Sequence, residues 1–241
     1  MKARRVKKLD PAGPLAENAS RIVRVRLEEL RSLAPAAVDG REVKAQHDMR
    51  IAAKRLRYVL EATEFCFGRA GVTGRRRARD LQEVLGELHD CDVMLPRVRE
   101  HLAELHSRDA EAIRKRAGDA PDLDPELVGR APHRTAYRGL ESLAVYIEAR
   151  RALLFDRFRD YWRAQEKKGT WDRLERAANR HMERARERRR AARRAERARE
   201  ELAEAERAEQ DALERARRAA AELAEAGRTA PGVTGSSQRD H

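Results

Sequence analysis

An all-α fold is what this chain predicts: an antiparallel bundle of four main helices followed by a long charged helical extension. Three observations carry that expectation. Large apolar residues recur at three- and four-residue intervals over four stretches. Pro35, Asp39-Gly40, the Gly68, Gly71 and Gly74 cluster and the segment 118–132 punctuate the chain between those stretches. After about Trp171 the composition turns to alanine, glutamate and arginine, which favour helix but offer few large side chains for a core.

The first helix starts after Asp10-Pro11, a capping aspartate with proline in the first turn, and runs to about Leu33. Its stripe is Leu15, Ala19, Ile22, Leu30 and Leu33. Pro35 and Asp39-Gly40 then break the chain. The second helix covers about Glu42 to Phe67, and Gly68, Gly71 and Gly74 mark the following turn. A third spans about Arg76 to Leu105 on Leu81, Val84, Leu85, Leu88 and Leu95, with Pro96 as a kink or an end of its regular part. Residues 118–132 read as a loop. The fourth helix runs from about His133 to Lys167 on Leu140, Leu143, Ala144, Ile147, Leu154, Phe158, Tyr161 and Trp162. The expected organisation is a basic arm over 1–10, the bundle over 11–168, the charged extension over 169–226 and a disordered tail over 227–241. In the extension, arginine dominates from Arg184 to Arg199 and acid from Glu200 to Glu225. Leu202, Leu213 and Leu223 are too sparse for a heptad seam, so an exposed, partly frayed helix is expected.

Composition narrows the partners. Of 241 residues 40% are charged, the net charge is +12, and arginine dominates it, which favours phosphate-rich ligands. Cys66 and Cys91 make neither a disulfide framework nor a zinc set and read as small buried hydrophobes. No apolar run approaches the roughly 20 residues that span a bilayer. MKARRVKKLDPAGP has no apolar core behind its charges, so a cytoplasmic protein without a signal peptide is expected.

The most informative segment is QHDMRIAAKRLRY, residues 46–58. At about 100° per residue, His47, Arg50, Lys54 and Arg57 share one face. Met49, Ala52, Ala53, Leu56, Val59 and Leu60 share the other. The cationic face runs roughly 15 Å along the axis and suits a linear polyanion. A second segment, LGELHDCDV, holds Leu85, Gly86, His89, Asp90, Asp92 and Val93. Asp92 projects to the side of Leu88 and Leu95 and so needs a cationic partner; Arg151, which interrupts the fourth stripe, is the expected one.

These two segments resemble the hallmarks of the CHAD family, the conserved histidine α-helical domain: H-x-x-R-x-x-x-[KR]-[RK]-L-R, here His47, Arg50, Lys54, Arg55, Leu56 and Arg57, and the later L-G-x-x-[RH]-D-x-D-V. The resemblance covers roughly Leu15 to Trp162. It implies a helical bundle that binds inorganic polyphosphate without turning it over, with no cofactor and with an association to polyphosphate granules. By the match, His47, Arg50, Lys54 and Arg57 contact phosphate oxygens. Arg55 stands at the rim, and His89 takes a position where the family often has arginine. Family members usually carry two bundle halves, each with its own histidine helix, whereas this sequence shows one such ladder. It is therefore either a compact single-half version or one partner of a homodimer that rebuilds the channel.

Two other readings compete. His47-Asp48 and His89-Asp90 are His-Asp doublets of the kind that helical phosphohydrolases use as metal ligands. Asp48, however, is rotated about 100° from His47, and the cations around His47 oppose a divalent metal. The basic stretches Lys2–Lys8 and Arg184–Arg199 suit non-specific nucleic-acid contact. With 4% aromatic residues there is little for base stacking or sequence readout.

Overall fold

The computed structural model describes residues 2–229, so the expected tail lies largely outside the described residues, which end at Thr229. Five α-helices carry the chain: α1 (Leu15–Ala37), α2 (Val43–Thr63), α3 (Arg69–Ala117), α4 (Arg134–Lys167) and α5 (Thr170–Thr229). Short 3-10 turns sit at Glu64–Phe67 and Pro125–Arg130. Among the described residues there is no strand. The all-helical class read from periodicity is therefore the observed one.

Two units divide the chain, the first ending at Glu183 and the second starting at Arg184. In the first, α2 packs between α1 and α3, and α4 packs on α3. Cross-contacts fix the antiparallel sense. His47 meets His89 near one end of α2, and Leu60 approaches Gly74 near the other. Tyr161 donates to the Arg77 carbonyl, while His133 reaches Asp109.

The core is built largely from the expected stripes, except on α1, where Val23 and Leu27 are buried in place of Leu15, which is exposed, and Ile22, which is half-buried. Val23, Leu27 and Leu30 of α1, Met49, Ala52, Ala53, Leu56 and Leu60 of α2, and Leu81, Leu85 and Leu88 of α3 are fully buried. Ile147, Leu154, Phe158 and Trp162 of α4 close over them. Leu143, counted on the same stripe, is instead exposed. No helix of the described residues is long and apolar enough to cross a membrane.

Four local expectations need correction. The α1 helix starts at Leu15 rather than at Pro11, because Asp10 closes a turn of its own, accepting from Ala12 N through its side chain and from Gly13 N through its carbonyl. Pro35 does not end α1, which continues to Ala37; a proline in the last turn removes one amide donor but leaves the helix two residues to finish. Gly71 and Gly74 lie inside α3 rather than in a turn. They are close-approach positions: a Cβ on Gly71 would stand 2.4 Å from the Glu64 carbonyl oxygen, and one on Gly74 would stand 2.9 Å from a Leu174 methyl. Only Gly68, at φ +56°, supplies the left-handed turn residue there. Pro96 neither ends α3 nor stops it short of Ala117.

The core also extends past the point where large apolar residues thin out. Trp171, Leu174, Ala177, Ala178 and Met182, in the first turns of α5, are buried, and Trp171 stacks on Trp162 with ring centroids 5.9 Å apart. Small alanines let α5 approach closely, so few large side chains suffice to hold it. From Arg184 to Glu222 the helix is exposed almost throughout.

The N-terminal arm is docked at Arg4. Its backbone N–H donates to Glu29, and its guanidinium reaches Glu28 and Ser32.

Candidate functional site

Helix α2 turns its apolar residues inward and leaves His47, Arg50, Lys54 and Arg57 along its other side. His47, Arg50 and Arg57 are half-buried, and Lys54 is exposed. Their burial comes from α3, which runs antiparallel beside them. His89 faces His47 directly: the two Nδ1 atoms are 3.3 Å apart and the ring centroids 4.5 Å apart. One Nδ1 must carry a hydrogen and the other must accept it, so the two rings cannot both be doubly protonated while this contact holds.

Next along the face, Arg50 lies over Gly86. A Cβ on that glycine would meet only Arg50 Nε, at 3.6 Å. That is ordinary van der Waals contact, so Gly86 lies directly under the guanidinium stem without being required there by space. Arg50 Nε is buried and has no hydrogen-bond acceptor, and no carboxylate pairs with Arg50 or Lys54 among the described residues. Arg57 Nε stands 3.4 Å from Glu61 Oε1, close enough for an ion pair but misdirected for a hydrogen bond, so its N–H is also unaccepted. Tyr58, exposed at the outer edge, lies under both cations: Arg57 Cζ is 4.6 Å and Lys54 Nζ 5.7 Å from its ring centroid.

Several arginines elsewhere on the bundle are paired with carboxylates. Arg31 pairs with Asp172 and Glu175, Arg75 with Glu64, Arg77 with Asp80, and Arg150 with Glu87. Arg151 donates to Asp92, as the sequence predicts, and also to Gln46 and the Gly40 carbonyl, tying α4 to α3 and α2. Unlike these, Arg50 and Lys54 have no carboxylate beside them among the described residues, and they share their helix face with His47 and Arg57.

The structure therefore brings together His47, Arg50, Lys54, Arg57 and His89. Arg55 is not with them: it turns to α1 and pairs with buried Glu29 at 3.4 Å. The two His-Asp doublets do not converge. Asp48 is buried beside Lys44 Nζ at 2.7 Å, Asp90 is exposed, and among the described residues no group of three or more histidine, cysteine or acidic side chains could hold a metal. Sequence reasoning overlooked Gly86 as the floor under Arg50, Tyr58 beneath the cations, and Gln82, whose buried Oε1 finds no donor on the same side of α3. The i,i+4 spacing of Lys54 and Tyr58 was the available signal for one of them.

The electrostatics match the geometry. Burial, with smaller contributions from His89 and Arg50, holds the His47 imidazole below its ordinary value of 6.5, and Asp48 opposes this only in part. The surroundings thus disfavour the charged form of the His47 ring. The arrangement can present several N–H donors, spaced along one helix, to a chain of anionic oxygens.

Residues 2–99 match the family model of the CHAD domain, a span that includes α1, α2 and the part of α3 carrying Gly86 and His89. No curated protein and no solved structure matches the chain.

Proposed function

Because residues 2–99 of this chain are a CHAD domain, we propose that the protein binds inorganic polyphosphate, without catalysis, along the His47–Arg50–Lys54–Arg57 face with His89 beside it. The observation that supports this reading is the row of cations on one helix face: Arg50 and Lys54 have no carboxylate partner among the described residues, and Arg50 and Arg57 each carry a buried N–H that lacks an acceptor. A buried unsatisfied donor is costly, and a phosphate oxygen removes the cost. Packing of α2 against α1 and α3 holds the stems in place, so less side-chain freedom is lost on binding. The role is a polyphosphate-associated, non-enzymatic one at granules in the cytoplasm.

The competing ligand is nucleic acid, favoured by the exposed arginines between Arg184 and Arg199. A competition titration separates the two. Labelled long-chain polyphosphate bound to the full chain is displaced by unlabelled polyphosphate, whereas single-stranded and duplex DNA at equal phosphate concentration leave it bound. Equal displacement by DNA would overturn the assignment.

Proton linkage gives a second test. His47 binds its proton less readily in the folded, unliganded protein than in an unfolded chain. As pH falls through 6.5 and below, protonation therefore lowers the stability of the free protein. Bound phosphate oxygens favour the charged ring, so binding takes up a proton and tightens from pH 8 towards pH 6 (roughly spanning the imidazole range). His47→Gln flattens that profile. A wild-type affinity independent of pH would remove His47 from the site.

A further inference from the structure

We propose that the groove between the start of α3 and the start of α5 is a second anion site, which takes a short oligophosphate, an anion with two or more adjacent phosphate groups. It has a volume of about 440 Å³ and is lined by Arg69, Ala70 and Thr73 of α3 and by Arg173, Arg176 and Arg180 of α5. Four of its six lining residues are therefore arginines.

Arg173, Arg176 and Arg180 are spaced at three and four residues, which places them on one side of α5 over about 10 Å. The carboxylates of the same turns point away: Asp172 and Glu175 both reach Arg31 of α1, at 3.1 Å. None of the four groove arginines pairs with a carboxylate among the described residues. Arg173 donates to the Lys168 carbonyl and keeps its remaining donors. Between these residues Trp171, Leu174, Ala177 and Ala178 are buried, so the three arginines stand on a helix that is anchored in the core.

The opposite wall adds a second source of positive potential. The α3 helix is 49 residues long and opens at Gly68 without a side-chain cap, so the amides of its first turn are directed outward. Ala70, in that turn, lines the groove, and Thr73 adds a hydroxyl. Guanidinium forks on one wall and amide donors on the other suit phosphate oxygens. A single phosphate would engage only part of an arginine row about 10 Å long, which is why an oligophosphate is the better fit.

This site does not depend on the α2 face. At about 100° per residue, Ala70 and Thr73 project to the side of α3 roughly opposite Gln82, Gly86 and His89. The α5 arginines also lie outside the segment 2–99.

The test is calorimetric titration of the full chain with tripolyphosphate at low ionic strength. In a background carrying Arg50→Ala, Lys54→Ala and Arg57→Ala, tripolyphosphate still binds. Adding Arg173→Ala, Arg176→Ala and Arg180→Ala weakens that binding by about a hundredfold or more, given the strength of charge-assisted hydrogen bonds. Arg69→Ala alone, on the other wall, weakens it by about tenfold. All four arginines are exposed, and alanine preserves helix, so circular dichroism stays unchanged. Loss of all tripolyphosphate binding in the α2 background, or wild-type affinity in the α5 variant, would overturn the proposal. So would equal affinity for orthophosphate, the mark of an adventitious ion only.

Discussion

Replacing Arg50, Lys54 and Arg57 together by alanine abolishes binding of long-chain polyphosphate and leaves the helical circular-dichroism signal at its wild-type level. The two halves of that result rest on different features. Arg50 and Lys54 have no carboxylate partner among the described residues, and the Glu61 left behind by Arg57 is 43% exposed, so no buried charge is stranded. Two of the removed side chains carry N–H groups that the folded protein leaves unaccepted. Alanine is also the strongest helix former. Binding, by contrast, loses three cationic groups, each worth about 1.5–3 kcal/mol as a charge-assisted hydrogen bond. That lowers affinity on the order of a thousandfold and makes its salt dependence shallower, because fewer counterions are released. A filter-binding or calorimetric isotherm checks it, and an unchanged isotherm would exclude this face as the site.

Among single substitutions, Glu29→Ala causes a large loss of stability. The Glu29 side chain has no exposed surface, yet it accepts from Arg26 Nη1 at 2.6 Å and from the Arg4 backbone N–H at 2.7 Å, with Arg55 Nη1 at 3.4 Å. It is the common anchor of the N-terminal arm, α1 and α2. Removing one member of a buried ion pair leaves the other charge uncompensated, at about 3–5 kcal/mol. For a unit of this size that lowers the melting temperature by roughly 10 °C. Glu29→Gln keeps the shape and some accepting capacity, so its loss is smaller. A thermal melt in which Glu29→Ala is indistinguishable from wild type would show that solvent already screens this cluster.

The fold class and the cationic face were legible in the sequence because helical periodicity fixes which way each side chain points before any neighbour is known. His47, Arg50, Lys54 and Arg57 share a face for that reason. Asp92, on an apolar stripe, demanded a cation, and Arg151, on another, met that demand. Glycine punctuation misled where close packing was the true cause: Gly71 and Gly74 stand in α3 because a carbonyl oxygen and a leucine methyl occupy the space a Cβ would need. The first turns of α5 misled in the opposite way, since alanine reads as surface composition but permits close helix approach.

What the sequence determined by itself, then, is the direction of each side chain about its own helix axis. Only the tertiary structure decided which other side chains stand in that direction. It set His89 against His47, turned Arg55 to Glu29 rather than to the cationic face, and drew Trp171 and Leu174 into the core. Azimuth on a helix is a local property of backbone geometry. Contact depends on the register and approach distance between helices far apart in the chain, which packing as a whole selects.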